Sequence, residues 1–188
     1  MEGVNRNERI LVCIPAFNEA KHIADIVRNA RAYCSEVVVC DDGSVDNTGE
    51  IARSAGATIA RHSTNKGYGS ALKTLFNIAK MKDVDIVVTL DSDGQHNVAD
   101  IPKIVQPILK GDVDVVVGSR FLTENDSRKV PRYRTFGIKT LTKLANIAAY
   151  DDISDSQNGF RAYKKNALSK LDLYEDGMAI STEILIRA

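Results

Sequence analysis

Apolar positions along the chain fall into short continuous runs, separated by longer stretches in which they recur at helical spacing. The short runs predict strands at 9–15, 36–40, 57–61, 83–89, 112–118 and 159–163, rich in Val and Ile. Between them, Ile23, Ile26, Val27 and Ala30 mark one face of a helix over 19–33, with Asn18 as its cap. A second helix starts from Ser44 or Asp46 and stops at Gly56, a residue suited to a left-handed terminus. Ala71, Leu72, Leu75, Phe76 and Ala79 mark a third over 70–80. A fourth begins near Asp100 and must be bent or shortened by Pro107. After a polar loop over 122–134, Ile138, Leu141, Leu144, Ala145 and Ala148 mark a fifth, and 164–171 a short sixth. Strands alternating with helices require crossover connections. The expected fold is therefore α/β, a Rossmann-like and mostly parallel central sheet with helices on both faces, in one domain over 1–188.

Composition narrows the classes. The 188 residues carry 25 basic and 25 acidic side chains, a formal net charge of zero, so no overall field favours nucleic acid as a partner. Cys13, Cys34 and Cys40 form no Cys-x-x-Cys pair and are expected as reduced thiols in a cytoplasmic setting. The polar N-terminus is no signal peptide, and no apolar run reaches the roughly 20 residues of a membrane span. Ser181 or Thr182 opens a last helix that reaches Ala188 without a stop signal. The expectation is a domain cut from a longer protein, whose other part can hold membrane helices.

Chemistry gathers at the strand ends. Asp91-Ser92-Asp93-Gly94-Gln95 follows the strand centred on Ile86-Val87-Val88, where open parallel sheets bind ligands. Two carboxylates one residue apart, with the Gln95 amide oxygen, suit a hard divalent cation that keeps positions for water and a diphosphate. Pro15-Ala16-Phe17-Asn18-Glu19 and Asp41-Asp42-Gly43-Ser44 end two further strands, so their carboxylates converge on the same edge. Such a cluster repels itself unless a cation or hydrogen-bond donors occupy the space. Asp41 and Asp42 can accept from a base N–H or a ribose hydroxyl, or serve as helix caps. The first strand lacks the Gly-x-Gly-x-x-Gly turn of dinucleotide-binding folds. Gly67-Tyr68-Gly69 can bring backbone N–H groups near a ligand at the N-terminus of the third helix. His22, His62 and His96 lack metal-ligand spacing and are expected on loops or the surface, with His96 alone beside the acidic loop.

Taken in order, Ile14-Pro15-Ala16-Phe17-Asn18-Glu19, Asp41-Asp42-Gly43-Ser44, Asn65-Lys66-Gly67-Tyr68-Gly69, Asp91-Ser92-Asp93-Gly94-Gln95-His96, Gly118-Ser119-Arg120-Phe121 and Asp155-Ser156-Gln157-Asn158-Gly159-Phe160-Arg161 resemble a family 2 glycosyltransferase of GT-A fold. The resemblance is to the dolichol-phosphate mannosyltransferase and polyprenyl-phosphate glycosyltransferase branch, over nearly the whole chain. It implies that Asp91, Asp93 and Gln95 bind Mg2+ or Mn2+ bridging a donor diphosphate. It implies that Pro15, Phe17, Glu19, Asp41 and Asp42 line the base and ribose, with Ser92 also at the nucleotide sugar, and that Arg120 and Arg134 contact phosphates. Asn97 stands where the branch usually has Pro, and Leu75 where it often has Gly.

The segment 128–143 carries Arg128, Lys129, Arg132, Arg134, Lys139 and Lys143 and no acid. It reads as a solvated face or as a phosphate-gripping loop turned to a membrane surface. The implied activity is metal-dependent, inverting transfer of a hexose from a nucleoside diphosphate sugar to a polyprenyl phosphate. Asp93 and Arg134 then serve the chemistry, and Asp155 orients the acceptor or takes a residual proton. The expected location is cytoplasmic, peripheral to the membrane or tethered by segments beyond residue 188. A saccharide hydroxyl acceptor and a non-catalytic sugar-nucleotide-binding domain are the alternatives, and the motifs leave GDP and UDP donors equally open.

Overall fold

A strand buried on both sides must send alternate side chains into two different cores, and the first strand does so. A computed structural model describes residues 8–118 and 158–187. In β1 (Ile10–Ala16), Ile10, Val12 and Ile14 enter one core while Leu11 and Cys13 enter the other. β2 (Glu36–Asp41) repeats the division, with Val37 and Val39 on the first side and Val38 and Cys40 on the second. The first core is closed by α1 (Ile23–Ala30), α2 (Thr48–Ser54) and α4 (Ile101–Leu109). The second is closed by α3 (Tyr68–Met81), α5 (Lys165–Lys170) and α6 (Ile180–Arg187). Burial of each Ile or Val contributes about 1.5–3 kcal/mol, so both helical layers are held by the same strands.

The remaining strands are β3 (Thr58–Arg61), β4 (Ile86–Thr89), β5 (Val115–Val117) and β6 (Arg161–Lys164), in the spatial order β3-β2-β1-β4-β6-β5. β3, β2, β1 and β4 are parallel; β6 runs antiparallel to both β4 and β5. The chain moves outward from β1 through β2 to β3, then returns to place β4 on β1's other side. That reversal opens a crevice above the carboxyl ends of β1 and β4, the usual ligand position in open α/β sheets.

Several element ends differ from the sequence reading. Asn18 does not cap α1, which starts at Ile23. Asn18 takes a left-handed conformation (φ 56°), and its Oδ1 accepts from Val45 N at 2.9 Å. Residues 19–22 form a separate turn closed by His22 N and Ile23 N donating to Glu19 O. Ser44 is not the cap of α2 either; its Oγ accepts from Asn18 N. Asp46 meets the start of that helix, accepting from Thr48 N at 2.9 Å and from the Thr48 hydroxyl. Pro107 lies inside α4, which ends two residues later. β5 is shorter than its apolar run, and α6 begins one residue before the expected cap. The predicted helix around Leu141 and Leu144 lies outside the described residues.

All three cysteines are free, with Cys13 and Cys40 buried. Burial raises the Cys34 thiol to about 11 and, with the nearby Asp42 and Asp41 charges, Cys40 to about 12; it raises Cys13 further still. Thiolate is therefore scarce near neutral pH. A thiol-disulfide reagent at pH 7.5 should react with none of the three at the free-cysteine rate in the native protein, and with all three in guanidinium. Fast native labelling of Cys13 or Cys40 would contradict the packing.

Candidate active site

A cavity of about 520 Å³ fills the crevice at the β1–β4 reversal. Pro15, Ala16, Phe17 and Glu19 line it from the end of β1; Asp91, Ser92, Asp93, Gln95 and His96 line it from the end of β4. Asp42, Asn65, Gly67 and Tyr68 form its floor, and Gly177 and Met178 its rim. Of the residues expected at a donor site, Pro15, Phe17, Glu19, Asp42, Asp91, Ser92, Asp93 and Gln95 thus share one cavity. Arg120, Arg134 and Asp155 lie outside the described residues.

Asp41 does not line the cavity. Its carboxylate is fully buried; Oδ1 accepts from Ser44 N at 2.9 Å, and Oδ2 has no hydrogen-bond partner among the described residues but lies 3.5 Å from Arg61 Nε. A Cβ on Gly49 would sit 2.6 Å from Oδ2, so α2 approaches this carboxylate only because residue 49 is glycine. The alternation of β2 explains the split between the adjacent acids: Asp41 turns into the protein, and Asp42 faces the cleft. Asp41, expected at the base and ribose, lies outside this cavity lining and accepts from the loop after β2.

Asp42 is held by donors from three directions. Lys66 N and Gly67 N donate to it at 2.9 and 2.8 Å, and His62 Nδ1 lies 2.6 Å from Oδ1. Across the ring, His62 Nε2 is 2.9 Å from Thr74 Oγ1 on α3. His62 is thus nearly enclosed rather than a surface loop residue. The 65–67 segment closes over the floor because its amides need this carboxylate. A Cβ on Gly43 would meet the backbone of Thr64 at 2.4 Å, which makes room for that approach.

Asp91 is similarly surrounded. Tyr68 donates its hydroxyl to Oδ1 at 3.0 Å, and His96 Nε2 lies 3.1 Å from Oδ2. Burial, and then the negative charge of Asp91, raise the Tyr68 phenol well above its ordinary value, so it stays a donor. Asp93 is exposed, and among the described residues its Oδ1 accepts only from Gln95 N, in its own turn. Burial raises the Glu19 carboxyl; His22 opposes this, and the Asp93 and Asp46 charges add to it. Glu19 and Asp93 thus repel each other within the cleft.

The N-terminus of α3 does not wait for a ligand. Gly69 N and Ser70 N both donate to Asp176 O, at 2.8 and 3.2 Å. Side chains complete the join, with Ser70 Oγ and Lys73 Nζ each 2.6 Å from Asp176 Oδ1. A Cβ on Gly69 would lie 2.6 Å from the same backbone, so the glycine spacing serves contact with the chain itself. Residues 174–176 thus form a strap over the start of α3, and its other end is tied to α6, where the Glu183 carboxylate accepts from Tyr174 N and Glu175 N.

Tyr68, His62, His96, Gly159 and the strap were absent from the sequence-derived site. Tyr68, His96 and Gly159 stand within the sequence motifs, and His96 is expected beside the acidic loop; nothing local marks the strap.

The donor set is all oxygen: Asp91 and Asp93 carboxylates with the Gln95 amide beside them. No group of three His, Cys, Asp or Glu able to hold a metal occurs among the described residues. Such a sparse set fits a hard cation that completes its shell with water and substrate phosphates.

Residues 11–172 match the model of glycosyl transferase family 2. Over 180 residues the chain is 34% identical to the UDP-N-acetylglucosamine–dolichyl-phosphate N-acetylglucosaminyltransferase of Methanococcus voltae, covering 86% of this chain and 72% of that protein. It is 30% identical over 178 residues to the polyprenol monophosphomannose synthase of Mycolicibacterium smegmatis, covering 90% and 67%. The glucosyl-3-phosphoglycerate synthase of Mycobacterium tuberculosis, solved with Mn2+, UDP and glucosyl-3-phosphoglycerate, superposes with a TM-score of 0.74 at 21% identity. That superposition covers 96% of this chain and 64% of that one, so the chain spans under two thirds of this structural neighbour. The fold is GT-A, and by the family match and the identity to both relatives the chain belongs to glycosyl transferase family 2, the glycosyltransferases.

Proposed function

We propose that this glycosyltransferase moves a hexose from a nucleoside diphosphate sugar to a polyprenyl phosphate, with inversion and with Mg2+ or Mn2+. The observation that carries the reading is the single cavity joining Phe17, Glu19 and Asp42 to Asp91, Asp93 and Gln95. A nucleoside diphosphate has an apolar base, a hydrogen-bonding ribose and an anionic tail. The lining supplies a partner for each part: the Pro15–Phe17 wall for the base, Asp42 as an acceptor for the ribose, and the acidic loop with its cation for the diphosphate.

Asp91, Asp93 and Gln95 would hold the cation, which offsets the charge of the departing diphosphate. Asp42, fixed by His62, Lys66 and Gly67, accepts from the nucleoside. The acceptor phosphate is ionised near neutral pH, since its second pKa is about 6, so little is asked of a general base. Asp155 is the candidate to orient it, and Arg120 and Arg134 are candidates for its phosphate contacts. The names of both relatives support a lipid phosphate as acceptor. No helix among the described residues is long and apolar enough to cross a membrane.

Asp93→Asn should keep the fold, because the side chain is exposed and bonded only within its own turn. It should weaken metal-dependent binding of UDP or GDP by about 2–4 kcal/mol, through loss of one charged ligand. Calorimetry with and without Mn2+ measures this, and unchanged affinity would remove Asp93 from the metal set.

Product analysis with paired acceptors tests the acceptor class. The full-length protein should glycosylate a polyprenyl phosphate in bilayers and leave a free oligosaccharide untouched. Transfer to the oligosaccharide alone would replace the lipid phosphate with a hydroxyl acceptor, and binding without turnover would indicate a sugar-nucleotide-binding domain.

A further inference from the structure

Three blocks far apart in sequence meet on one carboxylate. Tyr68, from the first turn of α3, donates to Asp91 Oδ1 at 3.0 Å, and His96, five residues past Asp91, reaches Oδ2 at 3.1 Å. Gly159 lies against the same group: a Cβ there would sit 2.1 Å from Oδ1 and 2.5 Å from Oδ2. Gly159 is itself fixed by Thr89 Oγ1, which donates to its carbonyl at 2.7 Å. Phe160 then stacks on the His96 ring, with centroids 5.5 Å apart and planes tilted by 30°. Asp91 therefore has a donor on each oxygen and a backbone wall behind it. Among the described residues Asp93 has a single donor, Gln95 N on Oδ1 from its own turn, and an exposed side chain, so the two acids of the loop differ sharply in freedom.

We propose that Tyr68 and His96 are positioning residues that preset the Asp91 carboxylate for a divalent cation, leaving the exposed Asp93 to adapt around it. The assignment rests on the reading of this cavity as a metal–diphosphate site. A carboxylate oxygen has two lone pairs. One hydrogen bond to each oxygen leaves a second lone pair on each, and fixes the direction in which it points. An aspartate free to rotate would lose that order when it binds a cation. Partners that orient a ligating group are generally worth 10–100-fold in metal affinity. Phe160 does for His96 what His96 does for Asp91, limiting the ring to one plane. This gives a common purpose to Tyr68, His96 and the Gly159-Phe160 pair, residues from three motifs whose spacing alone assigned them nothing.

The experiment measures free Mn2+ by electron paramagnetic resonance during titration of wild type, Tyr68→Phe, His96→Ala and His96→Gln. Each is titrated with UDP and, separately, with GDP. Tyr68→Phe and His96→Ala should each bind Mn2+ roughly 10–100-fold more weakly. His96→Gln, whose amide can replace the Nε2 donor, should recover much of the loss. Metal-free binding of UMP and GMP should fall far less than Mn2+ binding in each variant. If wild type binds no Mn2+ with either nucleotide, the reading of the cavity fails and this inference with it. If wild type binds Mn2+ and both Tyr68→Phe and His96→Ala bind it equally well, the positioning role alone is overturned. Equal loss of Mn2+ and nucleoside monophosphate binding would also overturn it, because a general structural defect would then account for the effect.

Discussion

Negative charge crowded at one edge of the sheet is the constraint on which the rest of this structure depends. Glu19, Asp41, Asp42, Asp46, Asp91 and Asp93 all stand at the carboxyl ends of β1, β2 and β4 or in the loops that follow. Nearly every loop conformation there is explained by where these acids find donors. Asp46 ties the 19–22 turn to α2 by accepting from Ala20 N as well as from Thr48. Asp41 organises the turn to Ser44, and Asp42 draws the 65–67 segment over the floor. Two of the acids facing the cleft follow one plan: a carboxylate backed by an imidazole that is itself held from behind. His62 stands between Asp42 and Thr74, and His96 between Asp91 and Phe160. A carboxylate so held stays an acceptor of defined direction in a partly dry cleft, where an unheld one would turn toward water.

The sequence was most informative where physics is local. Apolar runs located all six strands of the described residues, and the expected helices on both faces match the division of β1 between two cores. The acidic strand ends pointed to the edge of the sheet where the cavity lies. Direction was not legible, because an apolar run such as Arg161-Ala162-Tyr163 carries no sign of whether it runs parallel or antiparallel. The start of α1 was missed for a related reason. Asn18 is a good cap by type, but Val45, Ser44 and Thr48 compete for that stretch of backbone and win. The histidines were undervalued because their partners come from elsewhere in the chain: Asp42 is 20 residues from His62, and Thr74 is 12. Gly67-Tyr68-Gly69 is expected to bring backbone N–H groups near a ligand, yet the amides of Gly69 and Ser70 meet Asp176 O. Composition could mark a close approach without saying to what.

The strap through Asp176 also explains how the second helical layer reaches the site. α3 carries Tyr68 on its first turn, so the rotation of that helix fixes where the phenol points. The helix is held at its base by Leu72, Leu75 and Phe76 in the core, with Phe76 edge-on to Tyr163 at 5.4 Å. At its top it is held by the Asp176 carbonyl. α6 in turn is fastened to the sheet by the buried Arg161, whose Nη1 donates to Ser181 O at 2.9 Å. A long path of ordinary packing and backbone hydrogen bonds thus ends in one hydroxyl group beside Asp91.

The antiparallel strand β6 has a consequence for the order in which the protein is assembled. Because it runs opposite to β4, its first residues lie at the edge where β4 ends, and only this direction delivers Gly159 to Asp91. The Thr89–Gly159 contact closes a loop of 70 residues, whose entropy must be overcome before the contact forms. A chain emerging from its N-terminus can pair β1, β2, β3 and β4 and already display every acid of the cleft, yet their final support arrives with a strand made much later. The acidic loop is therefore complete in composition long before it is complete in geometry. Its geometry then serves as a record that the last strand has docked in the correct register, since a slip of one residue would turn Arg161 and Tyr163 to the wrong faces.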